Sequence, residues 1–479
     1  MEQIIGRESE IALLNNLLAS SSADLLAMYG RRRVGKTFLV YSYFKDRLVF
    51  ELTGIKNGSL KEQLQLFSLA LQKATGSALA LKPPLNWIEA FDALARYLAT
   101  KNKNGKAVVF LDELPWLDGR KSGFLAAFEH FWNSWASRQP YLLVVVCGSA
   151  ASWMIRNITQ ATGGLHNRIT QKIALQPFTL AETAQYLKSR GSKLDNYQVL
   201  LIYMAFGGIP HYLKTVGKNN SAVQAIDKTC FSKDGLLTNE FDNLYSSLFD
   251  TAEQHIKIVR TLATKGSGMS RQQIIDASGL PSGGRISKAL DELEKSGFIQ
   301  QTIPYDKNTY EGIYRLVDEF SLFYLKFMDK RKPGAAKSWS AVAASQSYTS
   351  WCGIAFEAVC LKHIDKIKKA LKIKGAAEAS AWRYLPPKGS KQKGAQIDLI
   401  IDRADRIINL CEMKFYDGVF VIDKSYAQKL LQKQEVFIKR IKPRKTVFLT
   451  MISSFGVKEN SYFDEHIQQS ITMEALFRP

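Results

Sequence analysis

Cysteine, long apolar runs and acid are all in short supply in this chain, and each shortage removes a class of protein. Five cysteines are spread over 479 residues, at Cys147, Cys230, Cys352, Cys360 and Cys411. An odd number at such spacings fits neither a disulfide framework nor a zinc site. No apolar run reaches the ~20 residues of a membrane span without interruption; the segment 141–147 ends at Gly148-Ser149. Glu2, Arg7 and Glu8 stand where a secretory signal would be apolar. The expected location is therefore a reducing cytoplasm, with no membrane partner. Internal repeats and low-complexity segments are lacking as well. Acid is outnumbered: 44 Asp and Glu face 65 Lys and Arg, for a net charge of +21 and a pI near 9.5. That excess favours a polyanionic partner, nucleic acid first, and DNA is the nucleic acid expected. With 46% hydrophobic and 23% charged residues the chain can bury real cores, and at ~150 residues each it should hold about three domains.

What is present begins with Asp24-Leu-Leu-Ala-Met-Tyr-Gly-Arg-Arg-Arg-Val-Gly-Lys-Thr37-Phe-Leu-Val-Tyr41. An apolar strand-like run leads into G-x-x-x-x-G-K-T and a helix start, the pattern of a phosphate-binding P-loop. Gly30 and Gly35 let the loop curl so that its main-chain N–H groups point inward, beside the partial positive end of a helix. Gly30, Arg31, Arg32, Arg33, Val34, Gly35, Lys36, Thr37 and Phe38 are the expected nucleotide-binding residues. Lys36 should reach the β and γ phosphates, and the Thr37 hydroxyl should ligate Mg²⁺.

Residues 4–18 carry apolar positions at helical spacing behind Ser9 as a cap candidate. Residues 48–53 read as a strand, and 60–74 and 87–100 as amphipathic helices. In Lys106-Ala-Val-Val-Phe-Leu-Asp-Glu-Leu-Pro115, two acids follow a buried strand, at the edge where open parallel sheets bind ligands. Asp112 is the expected Mg²⁺ partner. Glu113 is placed to orient or deprotonate the attacking water. Ser149, after the apolar run 141–147, either contacts the γ-phosphate or caps the next helix. Beyond Gly163-Gly164 and His166, Arg168 precedes a last strand at 169–175; it is either an arginine finger or a solvated loop cation.

Gly6-Arg7-Glu8, Gly30-Arg-Arg-Arg-Val-Gly-Lys-Thr37, Leu111-Asp-Glu-Leu-Pro115, Cys147-Gly-Ser149 and Phe206-Gly-Gly-Ile-Pro-His-Tyr-Leu213 together resemble the archaeal-type ATPases of the AAA+/STAND branch of P-loop NTPases. The resemblance covers the first half of the chain. It implies ATP as the nucleotide, a five-stranded parallel core, adenine contacts near Arg7, and a small helical lid carrying Gly207-Gly208. Read from the residues alone, Gly207-Gly208-Ile-Pro210 is a helix end followed by a proline stop.

From His255 onward the order is helix, helix capped by Ser270, a glycine-rich turn at 279–284, a third helix and a hairpin, which is a winged helix-turn-helix. Arg285, Ser287 and Lys288 open the third helix, where base contacts are made, while Asp291, Glu292 and Glu294 further along it would repel DNA. Residues 329–337 read as a charged linker.

The second chemical constellation is Ala395-Gln-Ile-Asp398-Leu-Ile-Ile, a turn near Asp405, and Ile407-Ile-Asn-Leu-Cys-Glu412-Met-Lys414. Antiparallel pairing about that turn sets Asp398 opposite Glu412, with Lys414 on the same face. Two carboxylates can share a Mg²⁺ while the ammonium holds a water; the plainer reading is a cross-strand salt bridge. Asp, spacer, Glu-x-Lys across a hairpin resembles the PD-(D/E)xK nuclease superfamily, although Ile397 replaces the usual proline. That resemblance makes Glu357, on the preceding helix, a further metal-binding acid. Lys388, Lys391, Lys393 and the run 439–445 are candidate phosphate contacts, and Gln428 on a later helix is a candidate to reach the metal site.

The expected fold is α/β: a P-loop parallel-sheet ATPase core (1–178), a helical lid (179–250), a winged helix (251–330) and a restriction-endonuclease-like domain (331–479). The expected function is ATP hydrolysis coupled to nucleic-acid binding and Mg²⁺-dependent phosphodiester cleavage, with homo-oligomerisation left open. The catalytic set is Lys36, Glu113, Arg168, Asp398, Glu412 and Lys414. The alternative is an ATP-switched DNA-binding or sensor protein whose nuclease-like domain is inactive.

Overall fold

The computed structural model describes residues 3–101, 105–160, 165, 167–249, 251–307, 311–329, 339–387, 389–390 and 392–478. Gly163, Gly164, His166, Lys388, Lys391 and all of the expected linker but Asp329 lie outside them. The chain divides into two compact units, 1–177 and 178–479. Among the described residues no helix is long and apolar enough to cross a membrane.

The first unit is built on five parallel strands: β1 (Asp24–Tyr29), β2 (Leu48–Thr53), β3 (Ala107–Asp112), β4 (Leu142–Gly148) and β5 (Gln171–Ala174). Their spatial order is β2-β3-β4-β1-β5. The three inner strands are buried almost throughout, and the two edge strands alternate, as expected when helices cover both faces of a parallel sheet. Because the strands all run one way, their carboxyl ends form a single edge. Tyr29, Asp112 and Gly148 end β1, β3 and β4 there.

Helix α1 (Glu8–Ala19) starts two residues earlier than a cap at Ser9 predicts. Arg7 occupies the cap position in the left-handed region (φ 67°), and the Ser9 hydroxyl bonds Glu10 inside the first turn. Helix α2 (Lys36–Phe44) follows the P-loop. Helix α3 (Leu60–Thr75) opens with a reciprocal Ser59–Glu62 capping box, and α4 (Trp87–Ala99) is capped by Asn86. Helices α4 and α5 (Phe124–Ser134) meet through stacked and edge-on rings, with Trp87–Phe124 at 4.8 Å and Phe91–Phe131 at 5.1 Å.

In the second unit, α6 (Leu180–Ser189) is followed by α7 (Asn196–Phe206). That helix ends at Gly207, whose φ of 65° and ψ of −172° suit only glycine. At Gly208 a β-carbon would lie 1.8 Å from the Phe178 carbonyl oxygen, so a second glycine is needed for close approach. Pro210 then opens a short helix, Pro210–Leu213, where a plain stop was expected.

Next come α8 (Ala252–Ala263), α9 (Arg271–Ser278) and α10 (Gly284–Lys295). A small antiparallel sheet of β6 (Met269–Ser270), β7 (Ile299–Thr302) and β8 (Ile313–Leu316) joins them in the order β6-β8-β7. Ser270 caps α9 as its position predicts. All three acids on α10 are engaged inside the unit, Asp291 by Lys295 Nζ at 2.9 Å. Glu292 lies 3.0 Å from His255 Nε2, and Glu294 accepts the Gln301 N–H at 2.8 Å. The expected charge conflict with DNA on that helix is smaller accordingly.

Helix α11 (Glu319–Phe327) and helix α12 (Gln346–Lys362) lead to a five-stranded sheet. Its strands are β9 (Ala377–Tyr384), β10 (Ala395–Arg403), β11 (Ile407–Lys414), β12 (Thr446–Ser453) and β13 (Gln469–Thr472), in the order β13-β12-β11-β10-β9. β9, β10 and β11 are antiparallel; β11, β12 and β13 are parallel. A parallel step needs a long crossover, which α13 (Lys424–Ile441) supplies between β11 and β12. α13 buries Leu430 and Phe437 against Ile397, Ile400 and Leu410. α12 meets the end of β11 through Phe356 and Phe415, 5.9 Å apart.

His363, at the end of α12, is buried and donates from Nδ1 to the Val359 carbonyl at 2.8 Å. Its Nε2 accepts the N–H of Leu180 at 3.1 Å, one of the amides that the first turn of α6 leaves without a helical partner. Burial pushes the imidazole down to about 4. A neutral imidazole in the fold stabilises above pH ~6.5, and that contribution disappears as pH falls from ~6.5 towards 4, a change of about 3 kcal/mol. His363→Gln should therefore lack this part of the acid limb. In urea melts its stability deficit relative to the parent should be large at pH 7.5 and shrink towards zero at pH 4.5; a deficit that does not change with pH would refute the assignment.

Candidate functional site

Loop 30–35 joins β1 to α2 at the carboxyl edge of the first sheet. A β-carbon at Gly30 would lie 2.2 Å from the Leu175 carbonyl oxygen, and Gly35 sits at the helix cap with φ 95°. Both glycines are thus needed for backbone reasons. Lys36 is buried, and its Nζ donates to Gly30 O (2.9 Å), Arg31 O (2.8 Å) and Ser149 Oγ (3.2 Å). The Thr37 hydroxyl donates to Asp112 Oδ2 at 2.7 Å, and Asp112 Oδ1 accepts the Glu113 N–H at 2.9 Å.

Glu113 is itself in the left-handed region, φ 48° and ψ 49°. This turns its carboxylate towards Ser149, which donates its hydroxyl (2.5 Å) and its N–H (3.0 Å). Ser149 does not cap the next helix, since Ala150 holds that position. Lys36, Ser149, Glu113, Asp112 and Thr37 thus form one continuous chain of hydrogen bonds. Arg7, also buried, donates to Gln176 O at 2.8 Å and Val34 O at 3.2 Å, tying α1 to the back of the loop. Arg31 and Val34 are buried, Arg32 and Arg33 half-buried, and Thr37 and Phe38 exposed. Arg168 is exposed in the turn before β5 and takes no part in the Lys36–Glu113 chain. The Thr37 hydroxyl beside an Asp112 oxygen is a hard-oxygen pair of the kind Mg²⁺ takes together with phosphate and water.

The second constellation lies in the second unit. The β10–β11 ladder runs from Asp402↔Ile408 to Leu399↔Cys411. Asp398 and Glu412 are the next positions in that register, one step past the last paired residues, and β10 bulges against β9 between Ile397 and Ile400. Bulges of this sort re-aim side chains at sheet edges and active sites. Glu412 is tightly held: Tyr426 OH donates to Oε1 at 2.9 Å, Lys433 Nζ to Oε2 at 2.6 Å, and Lys414 Nζ lies 3.7 Å from Oε1. The Lys414 ammonium also stands 5.0 Å from the Tyr426 ring centroid. Asp398 Oδ1 accepts from Gln396 Nε2 at 2.6 Å.

Glu357 reaches the same place from α12. Burial, then the Asp398 and Glu412 carboxylates, push it up to about 8, while Arg315 and Lys414 pull it down. The three acids therefore feel one another, yet among the described residues no group of three or more His, Cys, Asp or Glu side chains is close enough to hold a metal ion as it stands. The donors are of the right kind for Mg²⁺, but both Glu412 oxygens are already engaged.

Sequence reasoning missed Tyr426, Lys433 and Arg315. The first two are legible afterwards: they lie seven residues apart on α13 and flank buried Leu430, so they share its inner face. Gln428 falls on the outer face and is exposed. Arg315 belongs to β8, far away in sequence, and no local pattern points to it. Of the candidate phosphate contacts, Lys393 and Lys439 are exposed. Lys445 is bonded to Asp402 and to the Arg403 carbonyl, and the Arg440 guanidinium stacks 4.0 Å over the Tyr384 ring.

Residues 4–216 match the family model of an ATPase domain found predominantly in Archaea. An uncharacterised protein of Methanocaldococcus jannaschii is 22% identical over 418 residues, 86% of this chain and 88% of that one. Among solved structures, a Walker-type ATPase of Pyrococcus abyssi is 21% identical with a TM-score of 0.49, covering 67% of this chain and 96% of that one. The ORC2 protein of Aeropyrum pernix, in complexes with ADPNP and ADP, is 18% identical with a TM-score of 0.43, covering 72% and 96%. The matched segment carries its P-loop on a five-stranded parallel sheet, and what it resembles is an ATPase domain found predominantly in Archaea.

Proposed function

We propose that the chain binds and hydrolyses ATP in its first unit and uses the nucleotide state to govern phosphodiester cleavage of nucleic acid, DNA in the first instance, by the second. For hydrolysis, the N–H groups of loop 30–35 and the Lys36 ammonium bind the phosphates. Thr37 and Asp112 would hold Mg²⁺, which supplies charge stabilisation at the phosphates when bound. Glu113, fixed by Ser149, orients the attacking water and receives its proton. Because Ser149 also bonds Lys36, a phosphate that draws Lys36 away frees the serine to move with Glu113. Arg168, exposed beside the last strand, suits a nucleotide bound by a neighbouring copy of the chain.

The observation that carries the cleavage reading is the register that sets Asp398 and Glu412 at matching positions just past the end of the β10–β11 ladder, with Lys414 3.7 Å from Glu412 and Glu357 feeling both carboxylates. The order α12, β9, β10, β11, α13, β12 around that point supports a restriction-endonuclease-like domain. Residues 251–329 supply the helices and hairpin of a winged helix, and we read 179–249 as the lid. Asp398, Glu412 and Glu357 would hold Mg²⁺, which when bound activates a water and stabilises charge on the phosphodiester. Lys414 orients that water, and Lys393, Lys439 and Arg444 meet the strand backbone.

A second reading, an ATP-switched sensor with a silent C-terminal domain, is favoured by one observation: Lys433 and Tyr426 already occupy both Glu412 oxygens. Relaxation of supercoiled plasmid in Mg²⁺ or Mn²⁺, with and without ATP, separates the two. Cleavage that disappears in Glu412→Ala and that responds to ATP supports the enzyme. No cleavage in any nucleotide state, together with salt-sensitive DNA binding, supports the sensor. Lys36→Ala should lower ATP turnover at least ~10²-fold and remove any ATP response of cleavage; unaltered turnover would refute the role given to the P-loop.

A further inference from the structure

The second unit contains a cavity of about 300 Å³ that shares Glu357 with the proposed cleavage site. It lies where the end of α8 and strand β8 face α11 and α12. Its walls are largely apolar, with Trp351 and Ile354 among them, and three cations, Lys265, Arg315 and Lys326, line it against a single acid, Glu357. Arg315 Nε is buried and has no hydrogen-bond partner. A buried guanidinium N–H without an acceptor is costly, and an anionic oxygen is the acceptor that relieves it best.

Size and lining narrow the ligand. Inorganic phosphate would satisfy the cations but leave most of the space and the apolar wall unused. A fatty acid would cover the wall but carries too little charge for three cations. A nucleotide supplies both, a doubly charged phosphate and a flat base.

We propose that this cavity binds one nucleotide through a terminal phosphate monoester, the phosphate on Arg315 with Lys265 and Lys326 beside it, and the base against Trp351 and Ile354. Glu357 lines the cavity and also belongs to the acid cluster, so a strand end held here lies beside the place where we read cleavage. The purpose of the site rests on that reading, but its existence does not. The same chemistry is carried by a free mononucleotide and by the phosphorylated end of a strand.

Calorimetric titrations in EDTA, on the full chain carrying Lys36→Ala to silence the P-loop, test binding without metal or turnover. The titrants are dTMP, thymidine, inorganic phosphate, and a tetranucleotide with a 5′-phosphate or a 5′-hydroxyl. Saturable binding of dTMP at least tenfold tighter than thymidine and inorganic phosphate is expected. Adding Arg315→Gln should weaken it at least tenfold, and Ile354→Trp, which fills the cavity without removing charge, should do the same. A 5′-phosphorylated tetranucleotide that outbinds dTMP assigns the site to strand ends, and the reverse order assigns it to free nucleotide. Thymidine or phosphate binding as well as dTMP, or dTMP binding untouched by both substitutions, would overturn the proposal. No plasmid cleavage by the parent chain in any nucleotide state, with dTMP binding intact, would overturn the nuclease reading alone.

Discussion

Parallel pairing of β1, β3 and β4 is the constraint on which the nucleotide site depends. Strands that run the same way deliver their carboxyl ends to one edge, and Tyr29, Asp112 and Gly148 arrive there together although more than a hundred residues separate the first from the last. The loop after β1, the two acids at the end of β3 and the serine after β4 then need only short reaches to meet. The result is the continuous chain from Lys36 through Ser149 and Glu113 to Asp112 and Thr37. Each group in it is satisfied by its neighbours, which is how buried charge is tolerated. A ligand that draws Lys36 away must disturb Ser149, and Ser149 holds Glu113.

The C-terminal sheet solves a different problem. A tight antiparallel turn around Asp405 puts Asp398 and Glu412 at matching positions, and the ladder stops one step before them. Where strands stop pairing, side chains are freed from strict alternation between faces. Lys433 and Tyr426 from α13 then bond Glu412, and Glu357 from α12 feels both carboxylates. The concentration of acid raises Glu357, and the two lysines and the tyrosine hold Glu412 in place. The site is therefore balanced between carboxylates that would take a cation and ammonium groups that already occupy them.

Legibility in the sequence followed the range of the interaction. Gly30, Gly35, Lys36 and Thr37 were readable because loop curvature, helix start and side-chain reach are all set within eight residues. The Asp398–Glu412 register was readable because a short turn leaves little freedom in pairing. Ser9 was misplaced at the head of α1 because a good cap residue does not reveal that Arg7 can adopt φ 67° when two carbonyl oxygens hold its guanidinium. Ser149 was left between two roles because its partners, Lys36 and Glu113, come from other strands. Gln428 was misjudged because helix phase could not be set before the buried positions of α13 were known.

The residues by themselves determined the local chemistry of this protein: a phosphate-binding loop, a pair of acids at a strand end, a hairpin carrying Asp398, Glu412 and Lys414, and a surplus of cations. These depend on backbone preference and on spacing along one or two elements, which the covalent chain specifies directly. Only the tertiary structure decided which groups complete each site. Ser149 joining Lys36 to Glu113, Lys433 on Glu412, and Arg315 sharing a cavity with Glu357 all depend on how separate elements pack, and burial and charge act through space whatever the distance along the chain.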